Sequence, residues 1–235
     1  MGIAPSRFGY LGTSLPTHAS PREQAEAFVY LLDKLGIQET AVIAWSAGGM
    51  SAIQMALQYP DRVSALVLVS TGIADDDETD EIALPPEAVL QMLFGSDFLF
   101  WLLTNPLQSV MQRMFVPATY ELTAADKIVM ADTLEKLLPI RPRAQGAVWD
   151  TLVTITDAQQ NKSAYRLEDL DVPTLIINAL DNPLADYETA RAMSQRIPQA
   201  RFVTIEQGGH LMLGSSELVQ SEIDAFLRHY SAEKR

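Results

Sequence analysis

Short apolar runs alternate with stretches whose apolar positions recur at helical spacing. A capping box, Ser20-Pro21-Arg22-Glu23, predicts the start of a helix that continues to Gly36. Apolar, β-branched runs follow at residues 40–45 and 63–70, and a second helix is predicted between them, over 47–58. Runs that are apolar on both faces and separated by helices indicate a parallel sheet covered by helices.

This alternation is interrupted between residues 73 and 165, where strand signals are absent. Residues 90–103 are rich in Leu, Phe, Met and Trp, and 124–138 have the pattern of an amphipathic helix. The alternation then resumes, with strands predicted at 173–178 and 201–205 and helices at 186–196 and 217–230. We therefore expect an α/β core formed by residues 1–72 and 166–235, with a mostly helical insertion, 73–165, between two strands of one sheet.

Composition narrows the class of protein. The chain has 235 residues, of which 48% are hydrophobic, enough for one well-filled core. The net charge of −13 argues against binding to nucleic acid or to an anionic membrane, since either needs a basic face. There are no cysteines, which excludes disulfides, thiolate metal sites and cysteine nucleophiles. The sequence shows no signal peptide and no apolar run long enough to span a bilayer, so we expect a cytoplasmic protein.

Ser46 is the first candidate for chemistry. It directly follows an apolar run and is surrounded by small residues, namely Ala44, Ala47, Gly48 and Gly49. This pattern is typical of a nucleophile elbow, the strained turn between a strand and a helix, although Ala44 replaces the first glycine of G-x-S-x-G. The alternative is a serine that caps an ordinary helix after a parallel strand. The motif by itself leaves both interpretations open.

A nucleophilic serine needs a base, and the chain has three histidines. His18 lies in a polar turn, and His229 falls in the last turn of the final predicted helix, where it complements the helix dipole. His210 instead follows a predicted strand and the pair Gly208-Gly209. The carboxyl ends of parallel strands meet at one edge of a sheet, so we expect His210 to lie near Ser46.

The acid that orients the base should also follow a strand. Asp181 comes directly after the predicted strand at 173–178 and its short extension. Asp186 competes with it but is placed to cap the next helix, and Asp75 is a weaker alternative after the strand at 63–70. The order Ser46, Asp181, His210 is the Ser…Asp…His order of one large class of hydrolases.

With these motifs the chain resembles the α/β-hydrolase superfamily over residues 1–75 and 165–235. The resemblance rests on five segments: Arg7-Phe8-Gly9-Tyr10-Leu11-Gly12-Thr13-Ser14, Ala44-Trp45-Ser46-Ala47-Gly48-Gly49, Tyr59-Pro60-Asp61-Arg62-Val63, Val172-Pro173-Thr174 through Asp181, and Gly208-Gly209-His210. It implies that Ser46 is the nucleophile, His210 the base and Asp181 the acid, with the Ala47 N–H as one oxyanion donor. The insertion at 73–165 would then be the cap that shapes substrate choice.

The implied activity is that of a carboxylesterase-like serine hydrolase acting on a small apolar ester or related acyl compound, with no cofactor or metal. The large apolar residues between Leu90 and Phe115 would either line a substrate pocket or form the core of the cap. The alternative belongs to a different class of function. It is a catalytically impaired hydrolase-fold scaffold or fragment that lacks half of its oxyanion hole.

That alternative arises from a departure at the N-terminus. Members of the superfamily begin with three more strands, and the loop after the third carries the second oxyanion donor. Those elements would need on the order of 50 further residues, so we expect an N-terminally truncated version of the sheet. The segment Arg7–Gly12 is the first place to look for the second donor. The strand at 40–45 would form an apolar edge, which predicts self-association, a partner strand, or cover by residues 1–20.

Overall fold

A parallel sheet of four strands, in the order β1-β2-β3-β4, forms the centre of the computed structural model, which describes residues 2–73 and 84–232. The strands are β1 Thr40–Trp45, β2 Val63–Val69, β3 Thr174–Ala179 and β4 Ala200–Ile205. The helices are α1 Pro21–Lys34, α2 Gly48–Gln58, α3 Glu87–Phe94, α4 Asp97–Thr104, α5 Gln108–Phe115, α6 Ala124–Lys136, α7 Ala144–Trp149, α8 Ile155–Gln160, α9 Tyr187–Arg196 and α10 Ser216–Ala232. This confirms the predicted α/β class and parallel sheet.

The two central strands are mostly apolar because both of their faces are covered. In β2, Leu66 and Leu68 pack into a cluster with side chains of α1 and α2, whereas Val67 and Val69 pack with side chains of α10. β3 divides its residues in the same way. Alternate residues of a strand point to opposite faces, so a strand with helices on both sides has no polar face.

Helix boundaries follow the capping residues that the sequence contains. The Ser20 hydroxyl accepts the Glu23 N–H at the start of α1, at 3.2 Å. Asp186 caps α9 through the Thr189 N–H, at 2.8 Å, as its position after a strand predicted. These bonds satisfy backbone donors that a helix start leaves unpaired.

The insertion is helical in its described part, residues 84–165, where helices α3 to α8 lie and where no strand is found. Several of its buried residues form a cluster around Phe100, Met130 and Leu134, to which the core contributes Leu213, whereas Ala158 and Tyr165 pack into the core. That these helices act as a cap over Ser46 stays a prediction.

No single described helix is long and apolar enough to cross a membrane. α3 and α4 satisfy that criterion of length and composition only when taken together, and they are bent by 87°.

The N-terminal loop, residues 2–20, is tied to the insertion. The Leu11 N–H donates to the Pro142 carbonyl at 2.6 Å, and Arg7 forms two hydrogen bonds to the carboxylate of Asp150. Neither helix nor strand is assigned to this described loop. β1 is one of the two edge strands of the described sheet, and its residue Ile43 is 56% exposed. An apolar edge is therefore present, while its pairing with another chain stays a prediction.

Candidate active site

Ser46 lies in the sharp turn between β1 and α2. Its φ of 52° falls in the left-handed region, which non-glycine residues rarely adopt. Three hydrogen bonds hold this conformation: the Ser46 N–H donates to the Val69 carbonyl at 2.9 Å, and the Ser46 carbonyl accepts from the Gly49 N–H and from Thr71 Oγ1, each at 2.9 Å. A strained residue that the surrounding structure fixes in this way is typical of a functional site.

The small residues around Ser46 have separate structural reasons. A Cβ atom at Gly49 would lie 2.3 Å from Thr71 Cγ2, so no larger residue fits there without displacing Thr71. A Cβ atom at Gly48 would only meet the Ala44 Cβ, at 3.9 Å, which is ordinary van der Waals contact. Ala44 can therefore replace the usual glycine because it faces a residue without a side chain.

His210 lies in a buried turn after β4, and its Nε2 is 2.8 Å from Ser46 Oγ. The backbone of this turn is held from the sheet, since the His210 carbonyl accepts from Ser70 Oγ at 2.8 Å and from Trp45 Nε1 at 3.2 Å. The fold thus brings together two predicted site residues that are far apart in the sequence. The distance allows the serine hydroxyl to donate to the imidazole, as a nucleophile and its base require.

The other ring nitrogen has a different partner from the one expected. His210 Nδ1 lies 3.1 Å from Asn182 Oδ1. The carboxylate of Asp181 instead accepts the N–H groups of Gly208 and Gly209, at 3.1 and 2.8 Å. The expected contact between Asp181 and the imidazole is therefore corrected to one between Asn182 and the imidazole.

The reason for this exchange is the backbone of the diglycine. Gly208 and Gly209 both have positive φ values, 124° and 61°, and the two successive N–H groups form an anion-binding concavity that takes the Asp181 carboxylate. Asn182 was missed because a search for an acid passes over an amide. Of the other acids considered, Asp186 caps α9, and Asp75 lies outside the described residues.

Burial governs the protonation of His210. The residue is 4% exposed, and desolvation lowers the pKa of its imidazole from 6.5 to about 4. The ring is therefore neutral at pH 7, and a neutral imidazole can accept a proton from Ser46.

The backbone N–H groups predicted as oxyanion donors lie in two different surroundings. Ala47 is the N-cap residue of α2, so its backbone N–H lies at a helix N-terminus, beside Ser46. In Arg7–Gly12, four of the six N–H groups donate to other groups within the protein: Phe8 to Gln24 Oε1, Gly9 to the Thr13 carbonyl, Tyr10 to the Arg7 carbonyl and Leu11 to the Pro142 carbonyl. These four N–H groups would have to lose a hydrogen bond before they could bind an oxyanion.

The apolar residues of the insertion are divided between core and surface. Leu90, Phe100 and Met111 are buried, which favours the interpretation as core, whereas Phe98 and Trp101 stack on each other and are 66% and 44% exposed.

A cavity of about 600 Å³ lies between the N-terminal loop and the insertion. Its lining is largely apolar and is formed by Leu15, Glu87, Gln91, Ala144, Gln145, Val148, Trp149, Leu152 and Val153.

Comparison with known proteins agrees with the fold. A model of the alpha/beta hydrolase fold family matches residues 3–216. Two curated relatives are a biotin biosynthesis bifunctional protein of Teredinibacter turnerae, 25% identical over 80% of this chain, and a 2-hydroxy-6-oxononadienedioate/2-hydroxy-6-oxononatrienedioate hydrolase of Paraburkholderia phymatum, 26% identical over 77%. The chain spans 33% and 59% of their respective lengths.

Solved structures show the same fold. A thermophilic esterase from Thermogutta terrifontis superposes with a TM-score of 0.70 at 22% identity, over 96% of this chain and 79% of the esterase.

Proposed function

Because the chain belongs to the α/β hydrolase fold family, we propose that it is a serine hydrolase with Ser46 as nucleophile and His210 as general base. The observation that carries this proposal is the 2.8 Å separation between Ser46 Oγ and His210 Nε2, at a serine whose backbone is held in a strained turn. A serine that merely capped a helix would need neither the strain nor a buried histidine beside its hydroxyl.

In the proposed reaction, Ser46 Oγ attacks the carbonyl carbon of the substrate while its proton moves to His210 Nε2. The oxyanion that forms accepts a hydrogen bond from the Ala47 N–H. The tetrahedral intermediate then expels the leaving group, which takes the proton from the imidazole, and an acyl-enzyme remains. A water molecule gives its proton to His210 as it attacks the acyl group, and the carboxylic acid is released as Ser46 regains its proton.

The proposed substrate is a small apolar carboxylic ester or a related acyl compound, cleaved in a carboxylesterase-like reaction. The support for this substrate class is that the carbonyl of an ester or related acyl compound is what an activated serine attacks. The 600 Å³ cavity is lined by neither Ser46 nor His210, so its apolar lining carries no argument about the substrate. We assign residues 73–165 the role of a cap that selects among such substrates, and Asp181 the role of holding the Gly208-Gly209 turn that carries His210.

Hydrolysis of p-nitrophenyl acetate and p-nitrophenyl butyrate tests the proposal. We expect an initial burst of p-nitrophenol, equal to one per active site where deacylation limits turnover, and a loss of at least about 10³-fold in kcat for Ser46→Ala and His210→Gln. Ser221→Ala, a change at an exposed serine of α10, serves as the matched control and should leave kcat unchanged. Ester turnover that persists in Ser46→Ala would contradict the assignment of the nucleophile.

A second candidate function is a binding scaffold without turnover, and the N-terminal loop supports it. The loop most suited to supply a second oxyanion donor already uses four of its N–H groups, and loss of one donor typically costs about 10²–10³ in rate. A fluorophosphonate probe distinguishes the two functions, since phosphonylation of Ser46 requires an activated serine and a scaffold needs none.

A further inference from the structure

The side-chain amide of Asn182 is held in one orientation. Its Oδ1 accepts the backbone N–H groups of Leu184 and Ala185, each at 3.1 Å, and its Nδ2 donates to Asn178 Oδ1 at 2.7 Å. Pro183, which follows Asn182, has no N–H, so Asn182 Oδ1 accepts from the two residues after the proline, in the manner of an Asx turn. Rotation of the amide by 180° would set an NH₂ group against two N–H donors.

Asn178 is itself fixed, which removes the remaining freedom. Its Oδ1 also accepts the Ala179 N–H at 3.0 Å, and its Nδ2 donates to the carbonyls of Ala185 and Asp186, at 2.9 and 3.3 Å. Asn178 is fully buried and Asn182 is 7% exposed. The two amides therefore form one network in which every assignment of oxygen and nitrogen depends on backbone groups of known polarity.

This network determines which nitrogen of His210 carries the proton. Asn182 can present only an acceptor to Nδ1, so a neutral ring makes this contact only with its proton on Nδ1. Nε2 then has a free lone pair, directed to Ser46 Oγ at 2.8 Å. A neutral ring with its proton on Nε2 could not accept the Ser46 proton, and selection of the wrong tautomer costs about 10⁴ in kcat in a serine protease.

We propose that Asn182 is a positioning residue which, with its amide held by Asn178, fixes His210 as the Nδ1–H tautomer, so that a neutral amide replaces the acid of a Ser-His-Asp triad. The proposal rests on the proposed serine hydrolase function for its consequence in catalysis, but the tautomer itself is a property of the free protein. A neutral partner orients the ring without stabilising the imidazolium, whereas a carboxylate would do both.

The charged groups around His210 fit this assignment. The carboxylate of Asp181 accepts the N–H groups of Gly208 and Gly209. Arg113, the charged residue of the adjacent α5, is exposed. The carboxylate of Asp126 lies near Gly214 and accepts hydrogen bonds from Tyr120 and Thr123. Trp45 and Ser70, which hold the His210 carbonyl, carry no charge. Burial lowers the pKa of the imidazole to about 4, so the acid limb of the pH profile of kcat/KM should lie near pH 4.

The first test measures the tautomer in the free protein by ¹⁵N NMR of the imidazole nitrogens. With three histidines in the chain, His210 can be assigned by comparison with His18→Gln and His229→Gln variants. We expect a proton on Nδ1 and none on Nε2 at pH 7. A wild-type His210 with its proton on Nε2 would overturn the proposal, whether or not the protein hydrolyses esters.

The second test changes the network. Asn182→Asp should raise the pKa of His210 by at least one unit and move the acid limb of kcat/KM by the same amount, whereas Asn178→Ala should lower kcat at least tenfold and give a mixture of tautomers. Asp181→Asn is the matched comparison and should leave the Nδ1–H tautomer in place. If Asp181→Asn changes the tautomer while the folded Asn178→Ala does not, and if Asn182→Asp leaves the pKa of His210 unchanged, then Asp181 is the positioning residue and the proposal is wrong. Ester turnover that is absent in every variant, with the tautomer as expected, would refute the proposed function alone.

Discussion

Replacement of Gly49 by alanine tests how the turn at Ser46 is held. The new Cβ would lie 2.3 Å from Thr71 Cγ2 and 2.6 Å from Thr71 Oγ1, far inside van der Waals contact. Thr71 cannot move without weakening the hydrogen bond from its Oγ1 to the Ser46 carbonyl, at 2.9 Å. The substitution therefore combines an overpacked contact with the loss of a bond that maintains the strained backbone of Ser46.

The expected cost follows from those two contributions. Overpacking of a filled site destabilises by about 1–3 kcal/mol, and loss of one hydrogen bond adds about 1 kcal/mol, so Gly49→Ala should lower the free energy of unfolding by about 2–4 kcal/mol. Since a misplacement of about 1 Å can cost on the order of 10² in rate, kcat/KM should fall by a similar factor. Gly48→Ala is the matched control, because its Cβ meets only the Ala44 Cβ, at 3.9 Å, which is ordinary van der Waals contact.

Urea unfolding followed by circular dichroism, together with p-nitrophenyl acetate turnover, measures both effects. The double variant Gly49→Ala/Thr71→Gly removes the clash, so its destabilisation should be smaller than the sum of the two single variants by about 1–2 kcal/mol. If Gly49→Ala is as stable and as active as Gly48→Ala, or if the coupling to Thr71 is near zero, then contact with Thr71 does not maintain the elbow and the reasoning is wrong.

Three further predictions concern the surroundings of the site. Asp150→Ala leaves the mostly buried Arg7 without its carboxylate partner and should lower the free energy of unfolding, measured in urea, by about 3 kcal/mol. Asp132→Ala, in an exposed ion pair, should lower it by less than about 1 kcal/mol, and equal effects would contradict a structural role for the buried pair. The exposed edge strand β1 should mediate self-association, so light scattering should show a smaller species for Ile43→Lys than for the wild type, and a monomeric wild type would refute this. Trp101→Ala should change the ratio of butyrate to acetate turnover more than the unfolding midpoint, and an unchanged ratio would contradict a role in substrate choice.

Much of the core could be predicted because its signals are local. The strand at 40–45, the caps at Ser20 and Asp186, and the position of His210 after a strand and two glycines each depend on a few adjacent residues. A parallel sheet then brings the ends of its strands together whatever the length of the insertion between them. This is why Ser46 and His210 could be paired from the sequence.

The partner of His210 Nδ1 could not be predicted, because two neighbouring residues compete for it. Asp181 and Asn182 both follow β3, and chemical type favours the acid. The outcome depends on the positive φ of Gly208 and Gly209, whose N–H groups take the carboxylate, and on Asn178, which orients the amide. Such a network forms only in the folded chain, and single-residue patterns contain no signal for it.

The search for a second oxyanion donor is another case in which tertiary contacts decide the outcome. From the sequence, the segment Arg7–Gly12 is the first place to look for a second oxyanion donor. In the folded chain its N–H groups bind Gln24, Pro142 and the loop itself. Pairing of this loop with the helical insertion depends on residues more than 100 positions away, beyond any local pattern.

Active-site labelling tests the central claim most directly. The protein is treated with a fluorophosphonate, and the peptide that contains Ser46 is identified by mass spectrometry in the wild type, Ser46→Ala, His210→Gln and the control Ser221→Ala. We expect one phosphonyl group per chain on Ser46 in the wild type and in Ser221→Ala, with at least about 10³-fold slower labelling in His210→Gln and none in Ser46→Ala. A wild-type protein that is not labelled at Ser46, or that is labelled equally fast without His210, would contradict the assignment of Ser46 and His210 as nucleophile and base.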